Sequence, residues 1–275
     1  MIDGAVLRVV PVTSEIDAEL FVALPAVLHC DEPDFVGADA DDVAAIFRHG
    51  PALATLDIAR WLAWRGGVAV GRIAAATRGG GEATFGFFAS VDDTAVARAL
   101  LDAACAWARA RGATTVEGPL NIGERDRYRG VLERADGPVL FQENENPPSY
   151  PALLVGAGAV RAYGVHTYHL DPGDPAEVMA RRLRLAAHAS GAVSLEPYDP
   201  RSPDRFMDVL AEVYGAAFPR TGSTPALTRV QLEGVVASMV PIAIPELLWC
   251  ARVEGRPAGF CVTLRDLNEV LVQIA

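Results

Sequence analysis

Lysine is missing from this chain: all 24 of its basic residues are arginine. No Schiff base or lysine general base can therefore operate, and every cationic side-chain contact must come from a guanidinium group or a histidine. Cysteine is sparse as well. Cys30, Cys105, Cys250 and Cys261 show no Cys-x-x-Cys spacing, and the last three sit in apolar runs. A structural zinc site is not expected, and buried free thiols are. No apolar run approaches the ~20 residues that span a bilayer. The N-terminus Met1-Ile-Asp-Gly4 has no basic segment ahead of an apolar one, so a cytoplasmic location without membrane partners is expected. A net charge of −11 with a pI near 4.9 weighs against nucleic acid as a partner. What the chain does have is 51% hydrophobic residues over 275 positions. That is enough to bury roughly 75% of the unfolded surface in one large or two smaller domains. The excess of Ala, Gly and Val, with Arg in place of Lys, suits a high-GC genome such as an actinobacterium's.

A hairpin-like segment occurs twice. Trp61-Leu-Ala-Trp-Arg-Gly-Gly-Val-Ala-Val-Gly71 aligns with Trp249-Cys-Ala-Arg-Val-Glu-Gly-Arg-Pro-Ala-Gly259, which places Trp61 on Trp249, Ala63 on Ala251, Gly67 on Gly255 and Gly71 on Gly259. Two apolar runs around a Gly turn predict a β-hairpin, and its repetition predicts two related half-chains. About a dozen residues follow the second copy, so that unit is expected to be cut short. Its open sheet edge would then pack onto the first unit or be completed by a second polypeptide in a heteromer.

Between these hairpins the elements are legible. Leu7 to Val10 reads as a strand, and Ser14 caps a helix through Leu28. Ala40 to Phe47 suits a helix, Ala59 to Thr77 the hairpin, and Ala83 to Ser90 a strand. Val96, Leu100, Ala103, Ala104 and Trp107 recur at helical spacing over Thr94 to Arg111. Thr114 to Glu117 is a further strand. The polar stretch from Asn121 to Pro148 is a long loop, Tyr150 to Gly156 a short helix, and Ala162 to Leu170 an alternating strand. Asp171-Pro-Gly-Asp-Pro175 is a linker. Helices are expected near Ala176 to Ala189, Asp204 to Phe218 and Ala226 to Val240. The domains expected are 1–170, a linker at 171–175, and 176–275.

This order over residues 7 to 170 resembles the GNAT acetyltransferase fold, an α/β (α+β) mixed sheet flanked by helices. Val70-Gly-Arg-Ile-Ala-Ala75, Phe85-Gly-Phe-Phe88 with Asp92-Asp93, Gly118-Pro-Leu-Asn121 and Asn146-Pro-Pro-Ser-Tyr150 resemble a bacterial family of tandem GNAT-like proteins. Pro245-Glu246-Leu-Leu248 and Asp266-Leu-Asn-Glu269 resemble the start of its second unit. The resemblance implies a degenerate N-terminal unit and a second unit that carries the acetyl-CoA site. It also implies a glycine-rich pyrophosphate turn after the central strand, where backbone N–H groups at a helix start hold the anion. The first unit has Ser90-Val-Asp-Asp-Thr-Ala95 there, without those glycines and with two carboxylates, which equally serve as a plain helix cap. No such turn is recognisable after the second hairpin, and Leu154 stands where many such enzymes place a Tyr acid. Ordinary acetyl-CoA use is therefore not expected, and no cofactor is assigned.

The candidate site is the long loop. Arg125, Arg127, Tyr128 and Arg129, with Asn121 and Asn146, are the candidate substrate-binding residues, because guanidinium forks grip carboxylate, phosphate or sulfate. A solvated, salt-bridged loop is the alternative for the arginines. Glu143, Glu145, Asp126 and Tyr150 are the candidate catalytic residues, a buried Glu acting as general base toward an amine or hydroxyl. A plain polar turn is the alternative for Gln142 to Asn146. No metal site is expected: His166 and His169 would face opposite sides of a strand, with His166, Tyr163 and Tyr168 in the core or lining a groove. The leading expectation is a divergent GNAT-like enzyme acting on a small anionic or amino-acid-like metabolite in natural-product (antibiotic) biosynthesis. One version is ring closure by intramolecular amine displacement of a sulfate or phosphate. The alternatives are a non-catalytic subunit of a heteromer and an acyl-CoA-dependent N-acyltransferase.

Overall fold

The computed structural model describes residues 5–31, 35, 40–48, 56–122, 129–135, 137, 139–140, 143–168, 173, 177–178, 180–181, 193–217 and 229–268. The chain divides into two compact units, Met1–Tyr163 with Asp266–Ala275, and Gly164–Arg265.

The first unit runs β1 (Leu7–Pro11), α1 (Glu15–Leu28), α2 (Ala40–Phe47), β2 (Asp57–Arg65), β3 (Val68–Thr77), β4 (Glu82–Ser90), α3 (Thr94–Arg109), β5 (Thr115–Glu117) and α4 (Tyr150–Gly156). Its sheet has the order β1-β2-β3-β4-β5, antiparallel through β4 and parallel between β4 and β5, with α3 as the crossover. This is the α/β element order that the acetyltransferase resemblance implies. Strand alternation sends successive residues to opposite faces. Trp61, Ala63, Ile73, Ala75 and Phe85 pack with Val96, Leu100 and Ala104 of α3 and Leu153 and Leu154 of α4. Leu62, Ala74, Ala76 and Phe87 pack instead with Phe21 and Leu24 of α1 and Val43 of α2. Because β3 is covered on both sides, it reads as an almost unbroken apolar run. Gly71 sits where a Cβ would come within 2.8 Å of Leu100 Cδ1 and 2.9 Å of the Ala89 carbonyl, so α3 lies too close to β3 for any other residue.

The second unit contains β6 (Val193–Pro197), α5 (Pro203–Ala217), α6 (Arg229–Met239), β7 (Ala243–Val253) and β8 (Arg256–Leu264), with an antiparallel sheet ordered β6-β7-β8. Phe206, Met207, Val209, Leu210 and Tyr214 of α5 form its core with Leu232, Leu248 and Cys250. The repeated hairpin is a structural repeat. Arg65 pairs with Val68 and Val253 with Arg256, which leaves two-residue loops at Gly66-Gly67 and Glu254-Gly255. All four loop residues have positive φ, as two-residue hairpins favour. The matched tryptophans differ: Trp61 is buried edge-on to Trp107, whereas Trp249 is 38% exposed and donates its Nε1–H to the Glu246 carbonyl.

Two expectations need correction. Of the strand expected over 162–170, residues 162–168 form none and are exposed, so Tyr163, His166 and Tyr168 are surface side chains rather than core; 169–170, with His169, lie outside the described residues. The alternation over 162–168 found no ladder partner, and a strand needs one more than it needs a pattern. Conversely, β6 is a strand beyond those expected: Val193 and Leu195 alternate with polar residues, and pairing with β7 makes the segment a strand. Of the helix expected over 176–189, residues 177–178 and 180–181 are described and helical.

Candidate functional site

The site region surrounds the end of β4, where the strand is bulged. The β3/β4 register shifts between Arg72 and Ala74, and Phe87, a non-glycine residue, has φ +50°. Such a backbone persists only where its surroundings hold it. Asn121 does so: its Oδ1 accepts the Phe87 N–H at 2.9 Å, while the Leu120 N–H donates to the Phe85 carbonyl at 2.7 Å. Gly86 makes the approach feasible, since a Cβ there would lie 2.2 Å from the Leu120 oxygen. The edge of β4 beyond its pairing with β5 is thus filled by the segment after Gly118-Pro119.

From Leu120 the described loop is held by asparagines. Leu120 forms an antiparallel bridge with Arg129, and the Gly130 N–H donates to the Pro119 carbonyl. Asn144 Nδ2 donates to the Gly130 carbonyl at 2.6 Å. Asn146 meets both backbone groups of Leu132, accepting its N–H at 2.7 Å and donating to its carbonyl at 3.2 Å, in the manner of a strand partner. Arg129 donates to the Tyr163 hydroxyl, which donates to Glu117 Oε1 at 2.7 Å, and the guanidinium lies 5.3 Å from the Tyr163 ring centre. Burial, then the bond to Glu117, pushes the Tyr163 hydroxyl up from its ordinary range against the opposing effect of Arg129. Arg129 Nε is buried without a hydrogen-bond partner among the described residues.

Tyr150 opens α4 and is 4% exposed. Its hydroxyl accepts the Ser90 N–H at 2.8 Å, lies 3.2 Å from the Ser90 carbonyl and 3.2 Å from His29 Nε2, and so ties α4, the end of β4 and the end of α1 together. Arg72 of β3 completes this buried polar cluster, which the sequence reading did not single out. Its signal was an arginine inside an otherwise apolar strand. The guanidinium is buried against Phe21 and Phe87, and burial lowers its pKa to about 9, opposed by Tyr150. Nη1 donates to the carbonyls of Phe21 and Val22, the latter at 3.2 Å, and Nε has no partner among the described residues. Pro25 lies inside α1 and has no N–H to give to Phe21, four residues earlier. Arg72 fills the vacancy that Pro25 creates.

The structure thus links Asn121, Arg129 and Asn146 through one loop framework and places Tyr150 in the buried cluster. Glu145 is half-buried and Glu143 exposed in the same loop. Arg125, Asp126, Arg127 and Tyr128 lie outside the described residues. Leu154 is buried in the α3–α4 core. The start of α3 is already occupied: Asp93 accepts the Ala95 N–H at 2.7 Å and pairs with Arg65 at 2.7 Å. Its carboxyl is held below the usual range by the bond to Arg65 and then by backbone N–H groups. A cofactor pyrophosphate does not fit at that helix start, where a carboxylate already takes the place of the anion. No group of metal-ligating residues occurs among the described residues, and no described helix is long and apolar enough to cross a membrane.

No family model matches the chain. It is 28% identical over 283 aligned residues to a bacterial ceramide synthase of Caulobacter vibrioides (strain NA1000 / CB15N), an alignment covering 98% of this chain and 73% of that protein. It is 20% identical over 266 residues to protein YghO of Escherichia coli (strain K12), covering 94% of this chain and 68% of that protein. Among solved structures, a tandem GNAT protein from the clavulanic acid biosynthesis pathway, without AcCoA, superposes over 93% of this chain and 73% of its own, with a TM-score of 0.49 and 16% identity.

Proposed function

We propose that this chain serves amide-forming acyl transfer to a primary amine, with a 2-amino alcohol or an amino-acid-like molecule as acceptor. The observation that carries this is the similarity to a ceramide synthase along 98% of the chain. Ceramide is the amide of a long-chain 2-amino alcohol. In such a reaction the neutral amine attacks the acyl carbon, a C–N bond forms, the nitrogen loses a proton and the bond to the leaving group breaks. In this reading Glu145, the half-buried carboxylate of the Asn144–Asn146 framework, takes the proton. Arg129, held by Tyr163, faces anionic character on the substrate. Asp93 at the start of α3 closes the first unit to an anionic cofactor, so that unit acts as the acceptor-side scaffold and no step is assigned to a cofactor within it. The ring-closing displacement stays a narrower proposal, in which Arg125, Arg127 or Arg129 holds the departing anion and Glu143 or Glu145 takes the proton.

The test is to incubate the purified protein with a long-chain 2-amino alcohol and a fatty-acyl thioester and to analyse the products by mass spectrometry. A new amide whose yield falls at least about tenfold in Glu145→Gln supports the reading. Folded protein that yields no amide across several acyl lengths contradicts it.

A further inference from the structure

At the end of the first unit's sheet away from Tyr150, the β3–β4 turn and the chain just after α3 enclose a surface cavity of about 280 Å³ lined by Asp57, Thr77, Arg78, Gly79 and Arg111. Two arginines and one aspartate leave it net positive in a molecule of net charge −11. Its frame is rigid. Thr77 is buried, and its hydroxyl donates to the Glu82 carbonyl at 2.7 Å and accepts the Gly79 N–H at 3.0 Å. Gly79 and Gly80 take φ +82° with nothing within 4 Å of a Cβ position, so no side chain crowds the rim.

Arg111 is fixed in orientation. Its guanidinium stacks 4.1 Å from the Trp107 ring centre, Nε faces Asp57 Oδ2 at 3.3 Å, and Nη1 reaches the Trp107 carbonyl at 3.5 Å. Nη2 takes no partner among the described residues. Arg78 is exposed at the rim, yet desolvation of its guanidinium lowers its pKa. One guanidinium fork satisfies the two oxygens of a carboxylate, whereas two forks on one cavity suit a group with three acceptor oxygens.

We propose that this cavity binds a phosphate group through Arg78 and Arg111, with Asp57 as the internal carboxylate that the phosphate displaces from Arg111. The phosphate belongs to a small phosphorylated metabolite or to a phospholipid headgroup, and the site is independent of the acyl-transfer reading.

Titration calorimetry at low salt with inorganic phosphate and glycerol 3-phosphate, and flotation with phosphatidic acid vesicles, test it on the whole protein. Saturable binding of the soluble phosphates identifies a metabolite site, and binding of the vesicles alone a headgroup site. In either case Arg78→Gln with Arg111→Gln weakens binding about tenfold or more, and 0.5 M salt removes most of it. Asp57→Asn, which leaves both arginines in place, tightens binding about threefold. Absence of binding to every probe, binding unchanged by the double substitution, or binding unchanged by Asp57→Asn would overturn the proposal.

Discussion

Replacing Arg72 with Met, alone and together with Pro25→Ala, tests the buried cluster most sharply. Arg72→Met has two opposing effects. It removes a buried guanidinium whose pKa burial has lowered to about 9, equivalent to roughly 5 kcal/mol of penalty on the charged form. It also leaves the Phe21 carbonyl, which Pro25 cannot serve, buried without a donor, at about 1–3 kcal/mol. The single variant therefore measures a difference of large terms, and its sign is not diagnostic. The coupling is. In the Pro25→Ala variant a backbone N–H becomes available to Phe21, so Arg72→Met no longer orphans the carbonyl. The loss on removing Arg72 is then smaller in the Pro25→Ala background by about 1–2 kcal/mol. Urea unfolding followed by tryptophan fluorescence reads this out, since Trp61, Trp64 and Trp107 all lie in the first unit. Additivity within about 0.5 kcal/mol would refute the claim that Arg72 substitutes for the missing proline N–H.

Three further outcomes follow from the same geometry. Asp93→Ala removes a helix cap bonded to Arg65, costing about 1–2 kcal/mol at neutral pH. Because the folded carboxyl has the lower pKa, that contribution is present above the unfolded value of 3.8 and lost as pH falls through the folded one. Thermal melts of wild type and variant should therefore converge in acid, and a constant gap would count against it. Gly86→Ala drives a methyl to 2.2 Å from the Leu120 oxygen and costs about 3 kcal/mol in urea unfolding; a neutral result would mean that β4 and Leu120 are not in close approach. Tyr150→Phe strips the partner from the buried Ser90 N–H, and denaturation should show a loss of about 1–3 kcal/mol.

Most of the first unit was legible because its signals are local. Ser14 and Asp93 cap helices where the sequence places them, the α3 stripe matches its buried face, and the Gly turns mark both hairpins. Pairing with a distant strand decided the cases that local pattern could not: β6 gained one from β7, and residues 161–168 gained none. The same holds for the site. Asn121, Arg129, Asn146 and Tyr150 could be picked by residue type, but their contacts depend on a bulge in β4 and a close crossing at Gly86. Neither has a one-dimensional signature. The role of Arg72 is hidden in the sequence for a related reason: its partner is a carbonyl freed by a proline 47 positions earlier.

The most direct test of the acyl-transfer account is isotopic. Cells expressing the chain would be fed a long-chain 2-amino alcohol labelled with 15N, and their lipid extracts compared with those of cells carrying an empty vector. The account predicts a 15N-containing amide that depends on the chain and falls in Glu145→Gln. Identical extracts, with folded chain present in the cells, would contradict it.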